Sequence, residues 1–290
     1  MTRRQILLAL MPPLFFGTGF TIAKPAVAHF PPIFMMLVIY GGIALILALT
    51  HRKPLKTPVG AIVLISALAV TIQGALLFWG LKGMPAAVAN LVLQSQVPFA
   101  VILGWLIGGE ILDPRKALGT IVALAGVAMV IGLPAQPPEL LPTVLVIAGA
   151  FAWALGQVLA RRVGRDSGFA LLKLNAYGSV PQLALASLLL ERGQIDALRS
   201  ATMTEWSMLL FVGVVGFYLA YLCWFALLRQ CRMDEIAPFI LLMPVVGIVT
   251  AYLVLGESIE LTEITGGGVI LLGLAIVSGV ALPRSGRGRA

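Results

Sequence analysis

Charged residues are scarce in this sequence. Only 11% of its 290 residues are Asp, Glu, Lys or Arg, whereas a water-soluble domain usually carries about 25%. Hydrophobic residues make up 60% of the chain, and the mean hydropathy is +1.02. This composition excludes an ordinary soluble protein and predicts an all-α integral membrane protein whose helices span about 20 residues each.

Cysteine is also scarce. Cys223 and Cys231 are too few for a disulfide framework or a cysteine-rich zinc site, and we expect both to be free thiols. The sequence has no Walker motif, so it gives no support for ATP coupling within this chain, and we expect no cofactor. The net charge of +8 comes from Lys and Arg scattered between apolar runs, so nucleic acid is not an expected partner.

Apolar runs of spanning length predict ten helices. They cover approximately residues 5–24, 31–50, 59–80, 86–108, 117–133, 142–160, 170–190, 207–228, 236–255 and 264–282. The first run follows Arg3 and Arg4 and therefore imitates a secretory signal peptide. We expect it to remain in the protein as a first span, because it has a counterpart later in the chain.

Lys and Arg are unequally distributed between the two sides of the predicted membrane. Sixteen of the 20 lie on one side, which also carries both chain ends. The other four are Lys24, Lys82, Arg192 and Arg199. Because cytoplasmic loops are enriched in Lys and Arg, we expect both termini to be cytoplasmic and the protein to lie in a bacterial-type inner membrane.

The two halves of the sequence repeat each other. An offset of 147 residues pairs Glu110 with Glu257, and Pro98 and Pro244 are one residue from pairing. The same offset pairs Gly109 with Gly256, Gly119 with Gly266, Gly126 with Gly273 and Gly132 with Gly279. The chain thus divides into two five-helix repeats, residues 1–138 and 139–290. Because five is odd, the second repeat enters the membrane from the opposite side, and inverted repeats of this kind place a site between them.

These residues resemble the EamA-type branch of the drug/metabolite transporter superfamily. The resemblance rests on a proline in the fourth span of each repeat, a Gly-Glu pair that closes this span, and glycines in the fifth. It implies ten transmembrane helices in two inverted repeats. It also implies an exporter of small metabolites, most similar to exporters of neutral and aromatic amino acids. Fold-level resemblance does not establish the substrate.

Neutral polar residues within the spans are candidates for the substrate path. Asn90, Gln94 and Pro98 fall on one line of the fourth helix. The corresponding stretch of the second repeat, residues 236–246, is almost entirely apolar, so the fold does not require polar groups there. The other polar candidates are Thr18, Gln73 and Gln157. Alternatively, such groups join neighbouring helices by hydrogen bonds. That alternative stays open for these residues and is favoured for Ser95 and Gln96.

Aromatic residues complete the predicted path. Trp153 lies four residues from Gln157, and Tyr218 is also deep in a span. Trp79 is kept as a candidate although it closes the third span, where aromatic residues typically form an interfacial belt. Aromatic rings with a few neutral hydrogen-bonding groups suit a mostly apolar solute with a polar head. Pro98 and Pro244 each free a carbonyl in the preceding turn and are candidate hinges.

Ionisable groups are absent from the middle of the predicted spans. Without a mid-span carboxylate we expect facilitated transport rather than a dedicated proton site. A nucleotide-sugar or phosphorylated-sugar carrier would want Lys or Arg there, and an integral-membrane enzyme would need clustered acids, bases or nucleophiles. Both alternatives are less favoured, as is a purely structural membrane subunit.

Glu110 and Glu257 are expected to make capping or interface contacts. The expected partners are a small-molecule substrate, the lipid bilayer and at most a second copy, as a monomer or weak homodimer.

Overall fold

The computed structural model of the chain describes residues 2–132, 139–228, 230–231, 236 and 239–278. Every regular element within these residues is helical. Eight of the helices are long and apolar enough to cross a membrane. The prediction of an all-helical membrane protein is therefore confirmed.

We number the long helices in chain order. The first half contains α1 (Arg3–His29), α2 (Pro32–Thr50), α3 (Val59–Lys82), α4 (Ala86–Leu106) and α5 (Pro114–Gly132). The second half contains α6 (Leu140–Val163), α7 (Phe169–Leu190), α8 (Met203–Leu210, Phe211–Leu219 and Ala220–Leu228), α9 (Leu242–Leu255) and α10 (Leu261–Ser278). A short helix, Gln194–Ser200, precedes α8. The eight apolar spans exclude α7, whose polar residues lower its hydropathy, and α9, which is only 14 residues long.

Most helices lie where the apolar runs predicted them, with differences of a few residues at their ends. The ninth is interrupted: residues 236, 239 and 240 are helical, and a turn at Leu241 separates them from α9. Pro244 is the third residue after this interruption, as Pro98 is in Gln96–Leu106. Residues 237–238 and 279–282 of the predicted ninth and tenth helices lie outside the described residues, as does Gly279.

Two helices contain a π-helical segment that the sequence did not predict. These segments are Ala67–Ile72 in α3 and Phe211–Leu219 in α8. Each crosses a glycine of another helix. A Cβ at Gly156 of α6 would lie 2.8 Å from the Ala69 nitrogen, and a Cβ at Gly19 of α1 would overlap the Cα of Gly216. π-helical turns often occur at functional sites, so α3 and α8 are candidates to contribute to one.

α5 and α10 pack closely along their lengths. A Cβ at Gly119 would lie 2.7 Å from the Gly273 carbonyl oxygen, and a Cβ at Gly126 would lie 2.6 Å from the Ile270 nitrogen. Such distances are shorter than any side chain permits. The glycines of these two spans therefore allow the two helices to approach closely.

We expect Gly273→Ala to destabilise the protein, because the added Cβ would overlap the backbone nitrogen of Ala123 on α5. The loss should be about 2 kcal/mol, typical of overpacking, since α10 contacts mainly α5 and can shift to relieve part of the strain. The control is Gly268→Ala in the same helix, where the new Cβ would meet nothing within 4 Å. The thermal unfolding midpoint of each variant in detergent measures the difference. Equal midpoints for the two variants would contradict the glycine packing.

Candidate substrate path

α4 is interrupted at Gln94 and Ser95, which separate the helical segments Ala86–Leu93 and Gln96–Leu106. The Gln94 and Ser95 N–H groups bond to carbonyls three residues earlier, as in a 3₁₀ turn. Pro98 has no N–H to offer the Gln94 carbonyl, which accepts instead from the Val97 N–H at 3.1 Å. The disturbed turn expected before Pro98 is therefore present, while movement about Pro98 or Pro244 stays a prediction.

Asn90 is fully buried where α1, α4 and α9 meet. Its Nδ2 donates to the Ala86 carbonyl at 3.1 Å and to the Thr21 hydroxyl at 3.4 Å. The Thr21 hydroxyl in turn donates to the Gly247 carbonyl at 3.0 Å. The Oδ1 of Asn90 accepts no hydrogen bond from the described residues. In this conformation Asn90 joins three helices, and its place on a substrate path stays a prediction.

Gln94 lies one turn further along α4 and is 4% exposed. Its Nε2 donates to the Asn90 carbonyl at 3.3 Å. The neighbouring Ser95 hydroxyl is buried without a hydrogen-bond partner in the part of the chain that the structure describes. Unsatisfied polar atoms in a membrane interior are costly. The Asn90 Oδ1 and the Ser95 hydroxyl are therefore available to a polar ligand or to water, because lipid cannot form hydrogen bonds with them.

Five predicted path residues are half-buried. They are Gln73, Trp79, Trp153, Gln157 and Tyr218. Their side chains form no hydrogen bond with any group that the structure describes, whereas Thr18 bonds the Leu14 carbonyl of its own helix at 2.6 Å. Partly accessible polar groups without protein partners are what a hydrated path through a helix bundle requires.

The structure brings only some of these residues together. α3 packs on α6, where a Cβ at Gly149 would lie 3.1 Å from the Gln73 carbonyl oxygen. Trp153 and Gln157 follow one and two turns beyond Gly149 on the same side of α6. Tyr218 belongs to α8, which packs mainly on α1 and α2, and Trp79 lines a groove at one end of the bundle. Gln73 therefore lies where α3 crosses α6, whereas Trp153 packs against the cluster of Leu103 and Val158 between α4 and α6. Trp79 and Tyr218 lie elsewhere.

The structure contains a series of aromatic ring contacts that the sequence did not predict. It links Phe16 of α1 to Tyr221 (5.1 Å between ring centroids), Tyr221 to Phe225 (5.9 Å), Phe225 to Phe169 (5.4 Å) and Phe169 to His51 (5.3 Å). Ring pairs at such separations attract each other. The only signal in the sequence was the spacing of four between Tyr221 and Phe225. The series ends at a cavity of about 480 Å³ that Phe169, Phe225 and His51 line.

The two Gly-Glu pairs close α4 and α9 with the same backbone geometry. Gly109 and Gly256 have φ angles of +73° and +66°, which favour glycine. The N–H of the following Glu110 or Glu257 then reaches the carbonyl six residues earlier, at 2.9 Å and 3.2 Å respectively. This is the Schellman motif of helix ends, and it explains why glycine precedes each glutamate.

The carboxylates of these glutamates hold opposite ends of α4. Glu257 accepts the N–H groups of Ala86 (2.8 Å) and Ala87 (3.0 Å), where the positive end of the helix dipole favours an anion. Glu110, beyond the other end, forms an ion pair with Arg161 at 2.9 Å. The expectation of capping or interface contacts for both is confirmed. We call these ends of the bundle the Glu257 end and the Glu110 end.

Lys24 and His29, near the end of α1, both make specific contacts. The Lys24 ammonium donates to the Met84 carbonyl just before α4, and its charge attracts Glu257. His29 Nε2 lies 2.9 Å from the Ala197 carbonyl oxygen. Both residues therefore tie the end of α1 to other parts of the Glu257 end.

Asp166 joins the loop between α6 and α7 to the loop between α2 and α3. Its carboxylate accepts the N–H groups of Lys56 (3.0 Å) and Thr57 (2.9 Å). Burial by itself would raise the pKa of Asp166, but hydrogen bonds from Thr57 and from the Lys56 and Thr57 backbone, together with the Lys56 charge, bring that pKa below its ordinary 3.8.

Because the pKa of Asp166 is lowered in the folded protein, its ionised carboxylate stabilises the fold above pH 3.8, and the contribution disappears as the pH falls through the lowered value. We expect Asp166→Asn to reduce the free energy of unfolding at neutral pH by about 1 kcal/mol, as for loss of a capping side chain. Thermal unfolding of both proteins at neutral and acidic pH tests this. A deficit that stays constant down to the most acidic condition would show that the carboxylate charge is not responsible.

Comparison with known proteins bears on what this arrangement does. The chain matches the sequence model of the EamA-like transporter family over residues 3–132 and again over residues 140–279. The chain belongs to the EamA-like transporter family. This places it in the drug/metabolite transporter superfamily, and it is a multi-pass membrane transporter.

Related proteins agree with the family. The chain is 32% identical to a "probable amino-acid metabolite efflux pump" of Salmonella typhimurium, covering 99% of each chain. It is 30% identical to a protein of the same name from Escherichia coli, covering 95% of each. A crystal structure that is 20% identical in sequence covers 97% of this chain and 98% of its own with a TM-score of 0.68, which shows a shared fold.

Proposed function

We propose that this protein exports small metabolites, in particular neutral and aromatic amino acids, across an inner membrane in which both of its termini are cytoplasmic. The observation that carries the proposal is that Gln73 of α3 and Trp153 and Gln157 of α6 are half-buried and have no hydrogen-bond partner among the described residues. Such groups suit a solute with an apolar body and a polar head. The names of the Salmonella and Escherichia relatives support this class of solute.

The proposed architecture is ten spans in two inverted repeats, residues 1–138 and 139–290. Three pairs of features at corresponding positions support it: the π-helical segments of α3 and α8, the Schellman turns at Gly109 and Gly256, and the glycine crossings at Gly19 and Gly156. The double match to the family model has the same division. In inverted repeats, equivalent contacts recur at opposite ends of the bundle.

The proposed mechanism is alternating access. Lys24 lies near Glu257 at one end, and Arg161, at the equivalent place in the second repeat, pairs with Glu110 at the other. Each end also has a groove or cavity, of about 490 Å³ beside Trp79 and about 480 Å³ beside Phe225. Two equivalent closures allow the bundle to open at one end while the other is held shut.

Transport is proposed to be facilitated. Among the described residues, every carboxylate lies in a loop, in the short helix or in the first turn of a long helix; Glu263 of α10 is an example of the last. None lies at mid-helix, where proton relays of pumps are placed. A solute gradient then provides the driving force.

Uptake of labelled amino acids into proteoliposomes tests the proposal, with protein-free liposomes as the control. We expect saturable uptake of phenylalanine and of neutral amino acids, with and without a pH gradient. Failure to transport any amino acid would remove the proposed substrate class. Uptake that requires the proton gradient would remove the facilitated mechanism and leave the substrate class intact.

A further inference from the structure

We propose that the cavity at the Glu110 end is a binding site for the carboxylate of an amphipathic solute, and that Lys173 binds this carboxylate. The cavity has a volume of about 480 Å³ and lies between the end of α2, the start of α7 and the end of α8. In the proposed orientation it faces the cytoplasm, from which an exporter takes its substrate. The inference rests on the proposed export function and specifies the solute.

Lys173 is a buried cation without a matching anion. Its side chain is 7% exposed, and its Nζ donates to the carbonyls of His51 (2.7 Å) and Lys53 (3.0 Å) at the end of α2. No carboxylate of the described ranges forms an ion pair with it. Carbonyl dipoles only partly offset the cost of burying a charge. An ammonium has three N–H donors, and two carbonyls use two of them. The ammonium also lies 5.1 Å from the centre of the Tyr177 ring, and a carboxylate in the cavity is a stronger acceptor for the third N–H than that ring.

The rest of the polar lining favours an anion as well. Lys53 and the first residues of α7, Gly168 and Phe169, line the cavity together with Lys173. α7 has 22 residues, so its N-terminus brings a substantial positive dipole end to the same place. No carboxylate is among the lining residues that the structure describes. An anion here meets three positive groups: the buried Lys173, the exposed Lys53 and the N-terminus of α7.

The apolar lining distinguishes an amphipathic carboxylate from an inorganic anion. The rings of Phe169 and Phe225 lie 5.4 Å apart and both face the cavity. They also begin the aromatic series that leads through Tyr221 to Phe16 of α1. A solute whose carboxylate contacts Lys173 can place an apolar or aromatic side chain against these rings. Aromatic and large neutral amino acids have both parts.

Binding of tritiated L-phenylalanine to the full-length protein in nanodiscs of neutral lipid tests this site. Unlabelled L-phenylalanine should displace the label, whereas phenethylamine, which has the same ring and amine but no carboxylate, should not. Lys173→Met should weaken binding by about 10- to 100-fold, as expected for loss of a charge-assisted hydrogen bond. Lys116→Met removes a half-buried lysine at the same end of the bundle and should leave binding unchanged.

Four outcomes would overturn the inference. Phenethylamine could compete as well as phenylalanine, which tests the carboxylate on the wild-type protein even if Lys173→Met does not fold. Lys173→Met could be folded and bind phenylalanine normally. Lys173→Met could weaken the binding of phosphatidylglycerol and leave the binding of phenylalanine unchanged. That result would assign the cavity to a lipid head group. Uptake that is unchanged in Lys173→Met would remove this site and keep the export function, whereas absence of uptake by the wild type would remove the function itself.

Discussion

Gly247→Ala should destabilise this protein more than Gly273→Ala does. A Cβ at Gly247 of α9 would lie 2.5 Å from Nδ2 and 2.6 Å from Cγ of Asn90. The Asn90 side chain is fully buried and hydrogen-bonded to α1 and to its own helix, so it has no space into which to move. We expect a loss of about 3 kcal/mol, at the upper end of the usual cost of overpacking.

Asn90→Ala should rescue part of this loss. The single variant Asn90→Ala loses hydrogen bonds and should cost about 1 kcal/mol, but it also removes the atoms that the new methyl group would strike. The double variant should therefore be more stable than the sum of the two single effects predicts, by about 1–2 kcal/mol. Thermal or denaturant unfolding of the four proteins in detergent gives this coupling. Additive effects would mean that Asn90 and Gly247 do not touch.

The same four proteins address the predicted role of Asn90. If Asn90 only joins helices, the folded Asn90→Ala protein should transport at the wild-type rate in proteoliposomes. If it also lines the path, uptake should fall in Asn90→Ala although the protein remains folded, and Gly247→Ala with its methyl group should not restore it. The structure supports the joining role, and the unpartnered Oδ1 of Asn90 is the feature that keeps the path role open.

The helices could be predicted because lipid permits few alternatives. A spanning segment must satisfy its own backbone hydrogen bonds and be apolar over its length, so α1, α2 and α6 are visible as runs of residue types. The glycine contacts of α5 and α10 were predictable for a related reason, since Gly126 and Gly273 recur at one offset on the face of each helix. Local composition determines both features.

The π-helical segments and Lys173 could not be predicted in this way. The π-helical turn at Ala67–Ile72 depends on a partner helix, through Gly156, and on Gln182 of α7, whose amide bonds Thr71 and the Val63 carbonyl. In the sequence, Lys173 is only one of the Lys and Arg residues on the more basic side of the predicted membrane. The carbonyls that accept its hydrogen bonds are about 120 residues away in the chain, so its burial could not be predicted. Long-range contacts of this kind are absent from hydropathy and spacing.

Glu257→Gln should produce the largest change in the transport cycle. The Glu257 carboxylate bonds two N–H groups at the start of α4, while Lys24 bonds the preceding carbonyl. A glutamine keeps the shape but loses the charge, and only one of its terminal atoms accepts hydrogen bonds. We expect this contact to hold the Glu257 end shut. Its loss should raise the population of molecules open at that end by about 10-fold or more, because a hydrogen bond to a charged group contributes about 1.5–3 kcal/mol.

A cysteine beside this contact reports the opening. Ala87 is 1% exposed, so Ala87→Cys should react slowly with a membrane-impermeant maleimide while the end is closed. The background protein carries Cys223→Ala and Cys231→Ser, because both native thiols are partly accessible. Adding Glu257→Gln should accelerate labelling by about 10-fold, in proportion to the open population. Transport should slow, because the return to the closed state becomes unfavourable.

Glu110→Gln is the matched control at the opposite end of α4. Its ion pair with Arg161 is more exposed, with side chains 41% and 69% accessible, so its loss should have the smaller effect. It should also act in the opposite direction, because weakening the Glu110 end favours the state in which the Glu257 end is closed, and labelling at Ala87→Cys should then slow. Acceleration by both variants would indicate general loosening of the bundle. Acceleration by Glu257→Gln with slowing by Glu110→Gln is the result that only two alternating closures produce.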